Sequence, residues 1–256
     1  MIDLDGYGYS ILIDGGIITI SISMASLFVA CVLGMIAALA RLSNNRIASS
    51  IAFSYTTIIR GVPDLVLMLL IFFGGQIFVN NLPENLLNLT AWLGELVSGN
   101  GDSWRATAEP YLDWGYIDIN PFIAGVLTIG FIFGAYMGET FRGAIMAVDH
   151  GMLEAGTAYG MTKSQINRRI LLPQMVRHAL PGIGNNWLVL MKASAITSII
   201  GLEDMVRKAG LAAGATRQPF KFYLTAAVAF LILTTLSIWI LKLIEKRYSA
   251  GVRSAL

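Results

Sequence analysis

The chain is short of almost everything that reactive chemistry or a disulfide framework requires. Of its 256 residues only Cys31 is a cysteine, which excludes an intrachain disulfide; with no Cys or His beside it in an apolar run, it reads as buried filler. His150 and His178 are the only histidines and stand far apart, so no paired-histidine metal motif is present. No segment matches G-x-x-x-x-G-K-S/T. Gly160-Met161-Thr162-Lys163-Ser164 lacks the glycine before lysine, which excludes ATP hydrolysis through that kind of phosphate-cradling loop. No nucleophile, base and orienting acid fall into a recognisable pattern, so there is no catalytic candidate. Charged residues make up only 13% and the formal net charge is +2, too small to argue for a nucleic-acid partner.

What the chain has instead is hydrocarbon. A hydrophobic fraction of 55% and a mean hydropathy of +0.66 are too apolar for a water-soluble domain of this length. The composition predicts an all-α, polytopic membrane helix bundle built as one domain over 1–256, with no internal repeat. A helix needs about 20 apolar residues to cross the hydrocarbon core. That length finds five spans, at about 11–40, 51–81, 121–147, 178–201 and 222–245. The second is interrupted at Gly61-Val62-Pro63, so Tyr55–Arg60 and Asp64–Val79 are expected to meet at a bend. The third opens at Asn120-Pro121, an N-cap followed by proline at the first helical position.

Orientation follows from the basic residues of the connections. Arg41, Arg46, Lys163, Arg168, Arg169, Arg177, Lys242, Lys246, Arg247 and Arg253 fall on one side. The other side holds Asp3 and Asp5 and an external loop at 82–120, where Arg105 is the only basic residue among six acids. The positive-inside rule then places the N-terminus out and the C-terminus in, against a minority vote from Arg207, Lys208, Arg217 and Lys221. The acidic start, without a basic head, argues against a cleavable signal peptide. Within 82–120, Leu86, Leu89, Leu93 and Leu96 with Trp92 make one apolar face, suited to a helix on the membrane surface or packed on its own protein. Trp104, Tyr111, Trp114 and Tyr116 suit the headgroup level. Gly130, Gly134 and Gly138 recur every four residues and predict a close helix contact.

Charges inside the spans are the candidates for a translocation path. A carboxylate in the hydrocarbon layer costs at least ~2.5 kcal/mol on insertion scales and should face the bundle interior or a wet cavity. Glu139 shares a helix face with Tyr136 and Arg142, which fits either a locking Glu139–Arg142 ion pair or a carboxylate that meets a cationic substrate. Asp64 follows Pro63 at a helix start, where the macrodipole stabilises it, or is a second acidic contact. Arg60, just before the bend, would pair with either acid or hold a substrate carboxylate. Lys192, near Ser194, Thr197 and Ser198, reads as a gate or a packing partner.

Between two apolar runs lies a polar stretch, Asp149 to Pro173. Glu154, Ala155 and Ala158 sit on a short first helix, Gly160 supplies a bend, and a second helix from Lys163 is expected to stop at Pro173. The bland alternative is an ordinary helix-turn-helix connector. Glu154-Ala155-Gly156, with Gly160 four residues on and Ile170, Leu172 and Pro173 behind, resembles the cytoplasmic coupling loop of binding-protein-dependent ABC import permeases, where Ala is usual in place of Gly156. Ile59–Leu67, Gly134–Gly143, Leu180–Trp187 and Gly201–Asp204 resemble the polar amino acid permeases, most of all the HisQ-type subunits of histidine/lysine/arginine/ornithine importers. The likeness covers nearly the whole chain except about 82–116, which is longer than that subunit type implies.

The resemblance implies a type I ABC importer permease fold in a bacterial inner membrane. It also implies a homologous second permease subunit, two ATP-binding subunits that carry ATP and Mg, and a periplasmic amino-acid-binding protein; membrane lipid surrounds the spans. Glu154, Ala155, Gly156 and Gly160 would then couple to the ATPase, while Asp64, Tyr136, Glu139 and Arg60 would line the substrate path. The substrate class implied is cationic amino acids: histidine, arginine, lysine and ornithine. Alternatives are opines or neutral polar amino acids, or a secondary transporter that works without an ATPase.

Overall fold

The computed structural model describes residues 6–112 and 115–249. Asp3, Asp5, Asp113, Trp114 and Arg253, used above for orientation and interface anchoring, lie outside them. Among the described residues all regular structure is helical: α1 (Gly15–Arg41), α2 (Arg46–Gly61), α3 (Asp64–Ser98), α4 (Gly101–Leu112), α5 (Pro121–Met146), α6 (His150–Ala158), α7 (Lys163–Ile166), α8 (Leu172–Ala193), α9 (Met205–Thr216) and α10 (Pro219–Ser249). Ser10–Arg41, Asp64–Ser98, Pro121–Met146 and Pro219–Tyr248 are long and apolar enough to cross a membrane. The predicted span 178–201 becomes α8 followed by a 3-10 turn, Ser194–Ser198. Asn185, Asn186 and Lys192 interrupt its hydrocarbon, and it falls short of that measure.

The core is the seam between α1 and α5. Ala30, Ala38, Ala135 and Met137 are fully buried there, and small residues let the two backbones come close. A Cβ on Gly34 would stand 2.5 Å from Met137 Cβ and 2.9 Å from Gly138 N, so only glycine fits this crossing. The stripe read from Gly130, Gly134 and Gly138 is used in the same way, against Val29, Leu33 and Ala37 in turn. Asn120 caps α5, accepting from Phe122 N at 2.8 Å with Pro121 beside it.

The interruption after α2 is a true break. Val62 is extended (φ −109°, ψ 140°), and α3 begins at Asp64 directly after Pro63. α3 then continues past the expected boundary at 81 to Ser98, 35 residues or about 52 Å of helix, longer than a bilayer core of about 30 Å. The segment read as an external loop is therefore mostly helical: Gly99 turns the chain in the left-handed conformation (φ 66°), and α4 packs back on α3 with Trp104 against Gly94. Arg105 pairs with Glu84 at 2.9 Å across the two helices. The face that packs on the protein uses Leu87 and Gly94, whereas Leu89, Trp92, Leu93 and Leu96 are exposed. The chain returns along α3, where Ile117 N donates to Asn80 Oδ1 at 2.7 Å and Gln76 donates to Ile117 O.

Pro173 does not end its helix. A π turn, Asn167–Leu171, leads into α8 with Pro173 in the first turn, so the helix runs on from Lys163 to Ala193. Proline lacks an N–H and crowds the carbonyl four residues back; the wider turn upstream accommodates both. Between α8 and α10, Asp204 caps α9 by accepting from Arg207 N at 2.8 Å. Its residue is fully buried, Oδ2 has no hydrogen-bond partner among the described residues, and burial raises its carboxyl pKa to about 6.

Candidate functional site

The break between α2 and α3 delivers Arg60 and Asp64 to one face of α5. There the Tyr136 hydroxyl donates to Asp64 Oδ1 at 3.4 Å, and the Arg60 guanidinium lies 5.6 Å from the centre of the Tyr136 ring. Arg41, Phe53, Thr56, Arg60, Tyr136 and Glu139 line a cavity of about 440 Å³. Four residues singled out in the sequence, Arg60, Asp64, Tyr136 and Glu139, thus form one neighbourhood although three helices supply them.

Glu139 is the most heavily engaged of them. Arg142 reaches its Oε2 with both Nε (2.9 Å) and Nη2 (2.8 Å), while Arg41 Nη1 stands 3.6 Å from Oε1. Glu139 is 19% exposed, so these pairs are only partly screened by solvent. Arg41 also donates to Thr56 Oγ1 at 3.2 Å and stacks over Phe53 at 4.6 Å. The sequence reading counted Arg41 only as a connection charge. Its place beside Glu139 follows from the α1–α5 crossing at Gly34, and the only sequence signal was a basic residue ending an apolar run. Asp64 enters none of the ion pairs among the described residues; its carboxyl group accepts from Tyr136 instead. On the α8 side, Asn186 donates to Thr140 Oγ1 at 3.0 Å and fixes that helix against α5. Lys192 is exposed and does not join this neighbourhood.

At the end of α5 the chain forms a tight elbow. Asp149 caps α6 through Gly151 N at 2.8 Å. Thr162 and Gln165 form a reciprocal capping box on α7, a signal in the sequence that the motif reading passed over. Gly160 holds φ 75°, where a side chain would be strained. Gly156 is buried under Ile166 and Ile170; a Cβ there would meet Ile170 Cδ1 at 2.9 Å. Glu154 and Ala155 point outward with Tyr159, which is 89% exposed. The elbow is therefore locked from within and presents a bare outer face.

The chain is 44% identical over 250 residues to the Escherichia coli (strain K12) "Histidine/lysine/arginine/ornithine transport system permease protein HisQ", covering 97% of this chain and 98% of that one. It is 36% identical to the "Octopine transport system permease protein OccQ" of Rhizobium radiobacter, covering 97% and 94%. A crystal structure of an amino acid ABC transporter with histidines superposes with a TM-score of 0.71 at 29% identity, covering 93% of this chain and 94% of that one. The family model "Binding-protein-dependent transport system inner membrane component" matches residues 30–250, from the α1–α5 seam through the elbow to α10, and this chain belongs to that family.

Proposed function

We propose that this chain is the membrane-spanning permease subunit of an ATP-driven importer for cationic amino acids. The observation that carries it is the pairing of an internally locked, outwardly bare elbow with a charged cavity between α1, α2 and α5, beside which Asp64 of α3 meets Tyr136. A partner pushing on α6 moves α5 and α8, the two helices it joins, and α5 carries Tyr136 and Glu139. Such a stroke repacks the cavity without any chemistry in this chain. In this reading five spans cross the inner membrane with the N-terminus out and the C-terminus in, α8 being the fifth. ATP and Mg act in two partner subunits seated on the elbow, a homologous second permease completes the path, and an extracytoplasmic binding protein delivers the amino acid. Closure of the ATPases rocks the helices outward-open, and hydrolysis resets them.

At the cavity, Arg60 serves the substrate's carboxylate, and Asp64, beside it on the Tyr136 hydroxyl, serves the cationic end. Glu139, held by Arg41 and Arg142, shapes the wall and keeps two guanidiniums from repelling a cation. Likeness to a histidine/lysine/arginine/ornithine permease and to an amino acid transporter solved with histidines supports this substrate class; likeness to an octopine permease leaves opines as the second reading. The test is ATPase stimulation of the reconstituted complex by binding protein loaded with histidine, arginine, lysine or glutamine. Stimulation by the three cationic ligands and not by glutamine is expected; equal stimulation by glutamine overturns the substrate class.

A further inference from the structure

A second groove, of about 560 Å³, lies where the ends of α1 and α5 meet the π turn that opens α8. Its walls are hydrocarbon from three elements, with Leu39, Ile145 and Leu172 among them, and Leu39 and Leu172 are 56% and 49% exposed. Its polar end is made by Ser164, Asn167 and Arg168. Arg168 has no carboxylate within ion-pair distance among the described residues, in contrast to Arg41, Arg105 and Arg142, each held by an acid. Lys163 and Arg169 are exposed on either side of it, so the rim carries several positive charges.

We infer that this groove seats an anionic phospholipid, its phosphate on Arg168 with Ser164 and Asn167 as further donors and an acyl chain along Leu39, Ile145 and Leu172. Three features favour that occupant over a soluble anion or a protein helix. An arginine fork matches phosphate oxygens, and among the described residues no carboxylate pairs with this one. The apolar walls start directly beside it, as the boundary between headgroup and acyl chain demands. The groove also sits at helix ends that the composition places at a membrane surface, where basic pockets between spans collect anionic headgroups. The site has a consequence for coupling. Ile166 and Ile170 pack under Gly156 of the elbow, while Arg168 and Leu171 of the same turn face the groove. A lipid there braces the turn that links α6 to α8, opposite the face that a partner would press. The inference rests on membrane insertion and not on the substrate or the ATPase contact.

The test uses the complete transporter, purified in mild detergent after exchange into nanodiscs of phosphatidylglycerol or phosphatidylcholine, with bound lipid counted by native mass spectrometry. Retained phosphatidylglycerol and little phosphatidylcholine are expected, with Arg168→Gln lowering retention about fivefold and Arg169→Gln changing it little. Leu39→Trp, which fills the groove and leaves the cation in place, lowers retention as well, so one poorly folding variant does not decide the matter. Equal retention of the two lipids, or no loss in both Arg168→Gln and Leu39→Trp, overturns the inference. So does efficient crosslinking of a photoprobe at Leu39→Cys to another protein subunit instead of to lipid. Lipid retention is read without transport, so loss of amino acid stimulation and loss of lipid binding are distinguishable.

Discussion

α5 and α3 are both long apolar helices, yet 61% of the most apolar window of α5 is buried and only 11% of that of α3. α3 is the more apolar of the two. In water that order would be inverted, because hydrocarbon drives burial. In a bilayer the surroundings are as apolar as leucine, so burial goes to the helix whose small and polar residues make specific contacts. α5 has Gly130, Gly134 and Gly138 for close approach and Glu139 and Thr140 for polar contacts; α3 offers Leu, Phe and Val to whatever surrounds it. The charged cavity sits on the buried helix because only there can its carboxylate be held by arginines from two sides.

The sharpest way to break this contrast is Gly34→Val against Gly74→Val. The first drives a side chain into Met137 and the α5 backbone and should cost about 3 kcal/mol, read as loss of folded complex on heating. The second meets nothing within 4 Å and should be near neutral. If both are tolerated, the α1–α5 seam does not organise the bundle.

A second probe uses the buried connection between α8 and α10. The Asp204 carboxyl titrates near 6 in the fold and lower when unfolded, so its ionisation opposes folding. The penalty is complete above pH 6, shrinks as pH falls through 6, and vanishes once the unfolded form is protonated too. Thermal unfolding should therefore show stability rising from pH 7 to pH 5 by on the order of 1 kcal/mol, and Asp204→Asn should remove that contribution to the slope. A wild-type slope kept intact in the variant would assign it to other groups.

Glu139→Gln sharpens the contrast within the cavity. It leaves Arg41 and Arg142 facing a neutral amide, and for a partly exposed cluster a cost of about 2 kcal/mol is expected, with lower transport. Asp64→Asn, which removes a carboxylate outside the ion pairs, should spare stability and reduce binding-protein-stimulated ATPase activity selectively for cationic ligands. The reverse pattern would exchange the roles of the two acids. The smallest effects belong to the elbow. Gly160→Ala strains a left-handed residue by about 1 kcal/mol and should loosen the coupling of hydrolysis to transport. Gly156→Ala meets the ends of the Ile170 and Ile166 side chains, at 2.9 Å and 3.2 Å, without backbone strain, and should cost a similar amount or less.

Much of this was legible in the chain. Hydropathy marks the apolar helices, Asn120-Pro121 marks the start of α5, and Gly61-Val62-Pro63 marks the break that positions Arg60 and Asp64. The apolar face at Leu86–Leu96 marks a helix after 81 but not its continuity with the span before it; α4, packed through Gly94 and Arg105, holds α3 as one helix to Ser98. Pro173 was misread because a helix rule about hydrogen bonds does not foresee a π turn that absorbs the missing donor.

What the sequence determined by itself is therefore local: which segments avoid water, where a backbone must bend, and which short motif forms an elbow, since each depends on neighbours along the chain. Tertiary structure alone decided which apolar helix became the core, that Arg41 joins Glu139, and that Arg168 stands beside hydrocarbon with no acid paired to it among the described residues. Those outcomes depend on backbone approach at single glycines and on charges brought together from distant helices, and neither distance is written in the spacing of residues.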